Sequence, residues 1–165
     1  MQARSDRKKV CRAALRALLI SPELVVLLGM AVLVYARPFV VEIAGRLPNK
    51  WEVLSWLTGG VAALFVWQLR IIHEIRNPGG DKTQLFHDWN GYEKLVIYCK
   101  VAVFYGVVSV VLSAAWIMSD VFTHGWAMVF TVTGVILSCV SFLCCYNAKD
   151  DMEHILTKFG PRIGK

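Results

Sequence analysis

The residues of this chain best suited to chemistry are its five cysteines and four histidines. Redox-active cysteine pairs in outward loops would make a membrane thiol oxidase. Cys11, Cys99, Cys139, Cys144 and Cys145, however, include no CxxC spacing. Cys144 and Cys145 are adjacent and fall where a reducing cytoplasm keeps thiols reduced. They read as small apolar fillers at an inner helix end or, in a eukaryotic host, as acyl acceptors. Haem b held between membrane helices needs histidines deep inside two apolar stretches. His73, His87, His124 and His154 instead fall at helix ends, in a loop and in the tail. The sequence has no HExxH, GxSxG, P-loop or carboxylate cluster, which removes the common routes to metal hydrolysis, acyl transfer and nucleotide hydrolysis. The chain is therefore expected not to be an enzyme, with no catalytic residue, cofactor or metal.

The elements that would position any site follow from composition. Of the 165 residues, 56% are hydrophobic and 18% charged, and the mean hydropathy is +0.52. Soluble domains carry roughly 45–50% and about 25%. Disordered, collagen-like and ordinary water-soluble classes are excluded, because the apolar residues also come in long blocks. Val53 to Leu69, Val101 to Ser119 and Val121 to Ala148 hold no charge. About 20 apolar helical residues cross a bilayer core, and helix is the one open structure that satisfies its backbone there. Leu24 to Ala36 is shorter, so the first span must include Arg37, whose guanidinium would snorkel, with a bend at Pro38. Ser21-Pro22-Glu23 marks its start: a cap, a proline at the first helical position and an acid in the first turn.

The expected fold is all-α, with four transmembrane helices over 22–43, 51–72, 95–118 and 122–148. A basic amphipathic helix over 1–20 precedes them, with Lys8, Lys9, Arg12 and Arg16 meeting an anionic membrane surface. A loop over 73–94 and a tail over 149–165 complete the chain. Fifteen of the eighteen Lys and Arg residues fall in the N-terminal segment, the 73–94 region with its flanks, and the tail. Only Arg37, Arg46 and Lys50 fall on the other side. Such a bias places both termini in the cytoplasm, most simply at a bacterial inner membrane, and explains the pI near 9.2 without a nucleic-acid partner. Tyr35, Trp51, Trp56, Trp116 and Trp126 then mark the outer interface, and Trp67, Tyr98 and Tyr146 the inner one.

Small residues recur at helical spacing where membrane helices need close backbone approach. Ser55, Gly59 and Ala63 form one seam. Ala102, Gly106, Ser109 and Ser113 form a second, and Thr131, Gly134, Ser138 and Ser141 a third. They serve packing within one chain or contacts between copies in a homo-oligomer. On the inner side, Leu85, Phe86, Trp89 and Tyr92 share a face after the turn Arg76 to Asp81. Met152, Ile155, Leu156 and Phe159 share another in the tail. The two faces either cover each other as a cap or dock a cytoplasmic protein partner.

The expected function is a non-enzymatic membrane subunit that oligomerises and anchors or signals to that partner. An oligomeric or holin-like pore lined by Thr131, Gly134 and Ser138 is the alternative, and a small transporter the next. No acid or base lies mid-span in the last three helices, which argues against proton-coupled transport. In span count and topology, though in no motif, the chain resembles the small membrane subunits of bacterial phage-defence systems such as Kiwa. That resemblance implies an oligomeric membrane sensor acting with a cytoplasmic effector.

Overall fold

The computed structural model describes residues 21–46, 51–77, 92–118 and 123–159, with no side-chain placement for 93, 118 and 155–159. All regular structure among them is helical: α1 (Pro22–Ala36), α2 (Phe39–Gly45), α3 (Trp51–Arg76), α4 (Tyr92–Ser113), a 3-10 turn (Ala115–Met118) and α5 (His124–Phe159). α5 is the hub. α3 and α4 pack along it and against each other, while α1 and α2 lean on it from another side.

α1 begins where its signals place it. The Ser21 hydroxyl accepts a hydrogen bond from the Leu24 N–H at 3.2 Å, with Pro22 at the first helical position and Glu23 in the first turn. The expected single helix over 22–43 is not observed. Arg37 leaves the helical region at φ −137°, ψ 74°, and α2 departs at 98° to α1. Proline disfavours helical geometry in the residue before it and lacks an N–H, so one Arg-Pro step ends the helix instead of bending it. At 1.5 Å per residue α1 is about 22 Å long, short of a bilayer core of about 30 Å. α2 then lies against the start of α5, where Gly125 leaves room for the backbone of Val41.

The other helices also differ from their expected ends. α3 runs to Arg76, α4 starts at Tyr92 and gives way to the 3-10 turn after Ser113, and α5 continues unbroken to Phe159. No glycine or proline interrupts 149–159, so the tail extends the last helix and is not a separate element.

Polarity is inverted relative to a protein built for water. Gln68, Ser109, Ser113, Thr131 and Ser141 are fully enclosed, while Val25, Trp56, Val66 and Val111 stand between 65 and 80% exposed. Apolar side chains cover the outside on every helix except the charged ends. Among the described residues three helices are long and apolar enough to cross a membrane, or up to four if the bent α1–α2 pair counts as one span.

Candidate binding site between α1 and the helix bundle

The small residues of α4 and α5 decide how tightly the bundle closes. A Cβ on Gly134 would stand 2.5 Å from Ser113 N and 2.7 Å from the Ser109 carbonyl, so the two backbones meet there. Gly106 meets Phe65 and Gln68 of α3 just as closely, its missing Cβ lying 3.2 Å from Gln68 Oε1. Three of the hydroxyls along these seams turn back on their own helices. Ser109 donates to the Gly106 carbonyl at 2.7 Å, Ser113 to Val110 at 2.8 Å and Thr131 to Ala127 at 2.9 Å. Ala102, Gly106, Ser109, Ser113, Thr131, Gly134 and Ser138 are all buried inside one chain. Thr131, Gly134 and Ser138, the residues expected to line a pore, are thus enclosed within the single chain, with α4 against Gly134. The α3 seam behaves differently. Gly59 and Ala63 are exposed, and a Cβ on Gly59 would meet nothing within 4 Å.

Polar side chains that the seam pattern does not reveal lock the bundle. Gln68, 1% exposed, donates through Nε2 to the Ala102 carbonyl at 2.9 Å and to Ser141 Oγ at 3.0 Å, joining three helices. It is the sole amide in the charge-free stretch Val53 to Leu69, and that isolation was the available signal. Thr58 accepts from Trp116 Nε1 at 2.8 Å and donates to the Ser113 carbonyl at 2.9 Å, which the end of α4 leaves free. At the opposite end, beyond the apolar stretches, Lys149 donates to Glu74 at 2.8 Å and Arg70 donates to the same carboxylate at 3.2 Å. Lys149 first, then Arg70, hold the Glu74 carboxyl below its usual range. Glu74 in turn raises Lys149 above the usual amine range.

The inner-side docking residues divide. Met152 is buried with Ile71, Ile75, Cys99 and Cys145, and Tyr92 packs against that cluster. Within the chain these two contribute to an internal cap, where the continuous α5 carries Met152 back over α3 and α4 and Tyr92 stays half-buried. Leu85, Phe86 and Trp89 lie outside the described residues, as do Lys8, Lys9, Arg12 and Arg16 and the side chains of Ile155 and Phe159.

α1 touches the bundle mainly through Leu24 and Leu27, which pack on Val101, Tyr105 and Leu137. Cavities lie on either side of that band. Toward Gly125, one of about 580 Å³ is lined by apolar groups such as Leu27, Val34, Leu112 and Phe130, with Thr133 beside them. Toward Lys149, one of about 470 Å³ is bounded by Ser21, Pro22 and Glu23 of α1, Tyr98, Cys99, Val101 and Ala102 of α4, and Cys144, Cys145, Asp151 and His154 of α5. Such volumes suit a small organic ligand. Glu23, expected only as a helix-start residue, is 3% exposed and lines this second cavity. Among the described residues no group of three His, Cys, Asp or Glu side chains could hold a metal. Comparison with known proteins finds no matching protein family, no matching curated relative and no matching solved structure.

Proposed function

We propose that the chain is a multi-pass protein of a cell membrane, bacterial by its simplest reading. Its Ser21–Lys149 end faces the cytoplasm, and it works without catalysis by coupling the bilayer to a cytoplasmic partner. The inverted polarity and the one-sided excess of Lys and Arg support insertion and orientation.

The length of α5 carries the coupling. Its 36 residues span about 54 Å at 1.5 Å per residue, well beyond a bilayer core of about 30 Å. The surplus projects from the cytoplasmic end as a continuous rod, tied to α3 by Lys149 and Glu74. A rod of this kind transmits a tilt of the membrane part directly to whatever binds its exposed Asp150 and Glu153 face. Self-association falls to the Ser55–Gly59–Ala63 seam, since the other two are consumed inside the chain. The resemblance to phage-defence subunits agrees with this arrangement through topology alone.

A photo-crosslinker at Glu153, in cells of the native host, tests the coupling. The reading expects a discrete adduct whose added mass is not a multiple of the chain's own 18.5 kDa. Adducts only at such multiples, or none, overturn it. Gly59→Leu is expected to disperse an oligomer without lowering the melting temperature. Thiol labelling of an added cysteine after Lys165 from outside intact cells would overturn the orientation.

A further inference from the structure

We propose that the cavity of about 470 Å³ beside the start of α1 binds the ammonium group of an amphiphile, with Glu23 as its counter-ion. Glu23 is 3% exposed, and no hydrogen bond or ion pair reaches its carboxylate among the described residues. Among the described residues every fully enclosed side-chain oxygen has a partner, so the Glu23 carboxylate is not sealed in and opens on the cavity it lines. Withdrawing a carboxylate from bulk water without a partner is unfavourable, and the α1 N-terminus compensates with only about half a charge. A cation supplied from outside the chain would complete the pair.

The remaining walls define what carries that cation. Ile75, Val101, Ala102 and Met152 are apolar, so most of the ligand must be apolar as well. Among the described residues no Lys or Arg lines the cavity, and the other acid on its wall is Asp151, beside His154. The closest lysine along α5, Lys149, is committed to Glu74 on the far helix. An anionic head would meet two carboxylates, and a neutral one would leave Glu23 unpaired. A long-chain amine or quaternary ammonium satisfies both demands. That chemistry has two sources: the head of an aminophospholipid from the bilayer, or a free cationic amphiphile. The assignment is independent of any partner at the α5 rod.

The test uses the full chain in dodecyl maltoside micelles, which carry no ammonium group, titrated with decyltrimethylammonium and, in parallel, decyl sulfate. Decyltrimethylammonium is expected to bind saturably and raise the melting temperature, and decyl sulfate to do neither. Glu23→Gln is expected to weaken decyltrimethylammonium at least tenfold. Ala148→Phe, which fills the cavity wall and leaves Glu23 in place, is expected to abolish binding, and it decides the matter if Glu23→Gln fails to fold. Equal binding of the two probes overturns the proposal. So does affinity unchanged within twofold in a folded Glu23→Gln or Ala148→Phe chain. Native mass spectrometry of protein taken from its own membranes then separates the sources. Phosphatidylethanolamine retained on the wild type and lost from Glu23→Gln assigns the lipid head, and probe binding without retained lipid assigns the free amphiphile.

Discussion

The α3–α4–α5 bundle and the α1–α2 element are made from equally apolar sequence, yet they are held in different ways. In the bundle, the α4 and α5 backbones meet at Gly134, the Phe65 and Gln68 side chains seat against Gly106, and Gln68, Thr58 and the Glu74–Lys149 pair join helices by directed bonds. α1 rests on Leu24 and Leu27 with a cavity on each side. Lipid tails solvate leucine as well as another leucine does, so apolar contact alone gives little preference for one helix packing. Close backbone approach and buried polar bonds supply that preference. The bundle is therefore a scaffold, and α1 is an element whose position a ligand or the bilayer can bias.

The sharpest way to break this contrast is Gly134→Leu. A side chain there collides with the α4 backbone, which cannot rotate away, so a loss of about 3 kcal/mol or more is expected. Thermal unfolding of purified protein should show it, whereas Gly29→Leu on α1, where a Cβ meets nothing within 4 Å, should leave the melting temperature unchanged. Equal effects from both would erase the distinction. Gln68→Leu comes next. It strips a donor from the Ala102 carbonyl and Ser141, with an expected cost of about 1–3 kcal/mol. Gln68→Asn, too short to reach both, should recover little of that.

The smallest effect belongs to Glu74→Gln. Its depressed carboxyl means that the pair's contribution is complete above the ordinary carboxylate range and fades as pH falls through the lowered value. The raised Lys149 sets the alkaline limit above the ordinary amine range. The melting difference between wild type and Glu74→Gln should thus be small at neutral pH, smaller in high salt and absent in strong acid. A difference that persists in acid would mean that the pair does not act through charge.

Several features were legible in the sequence because they depend on local rules. The start of α1 follows from Ser21, Pro22 and Glu23, and the helical state of the long blocks follows from their length and lack of charge. The α4 and α5 seams marked the two helices that do come closest. Arg37-Pro38 was visible as a disturbance, but its size was not. A proline preceded by a residue free to leave the helical region allows either a kink or a full break, and docking of Val41 against Gly125 selects the break. Glu23 was legible as a helix-start acid and illegible as a cavity wall. The residues that enclose it, from Ile75 to His154, come from three other helices. Met152 and Tyr92 looked like a docking face because periodicity reports an apolar stripe without naming what covers it.

Local sequence alone therefore determined that these segments are apolar helices, where α1 begins, and which end of the bundle carries the positive charge, since each depends on neighbours within a turn or on summed charge. Tertiary structure alone decided which seams are spent inside the chain, that Gln68 joins three helices, and that the Glu23 carboxylate lines a cavity walled mainly by apolar groups. Those outcomes depend on the rotation of each helix about its own axis, which only contact between distant segments can set.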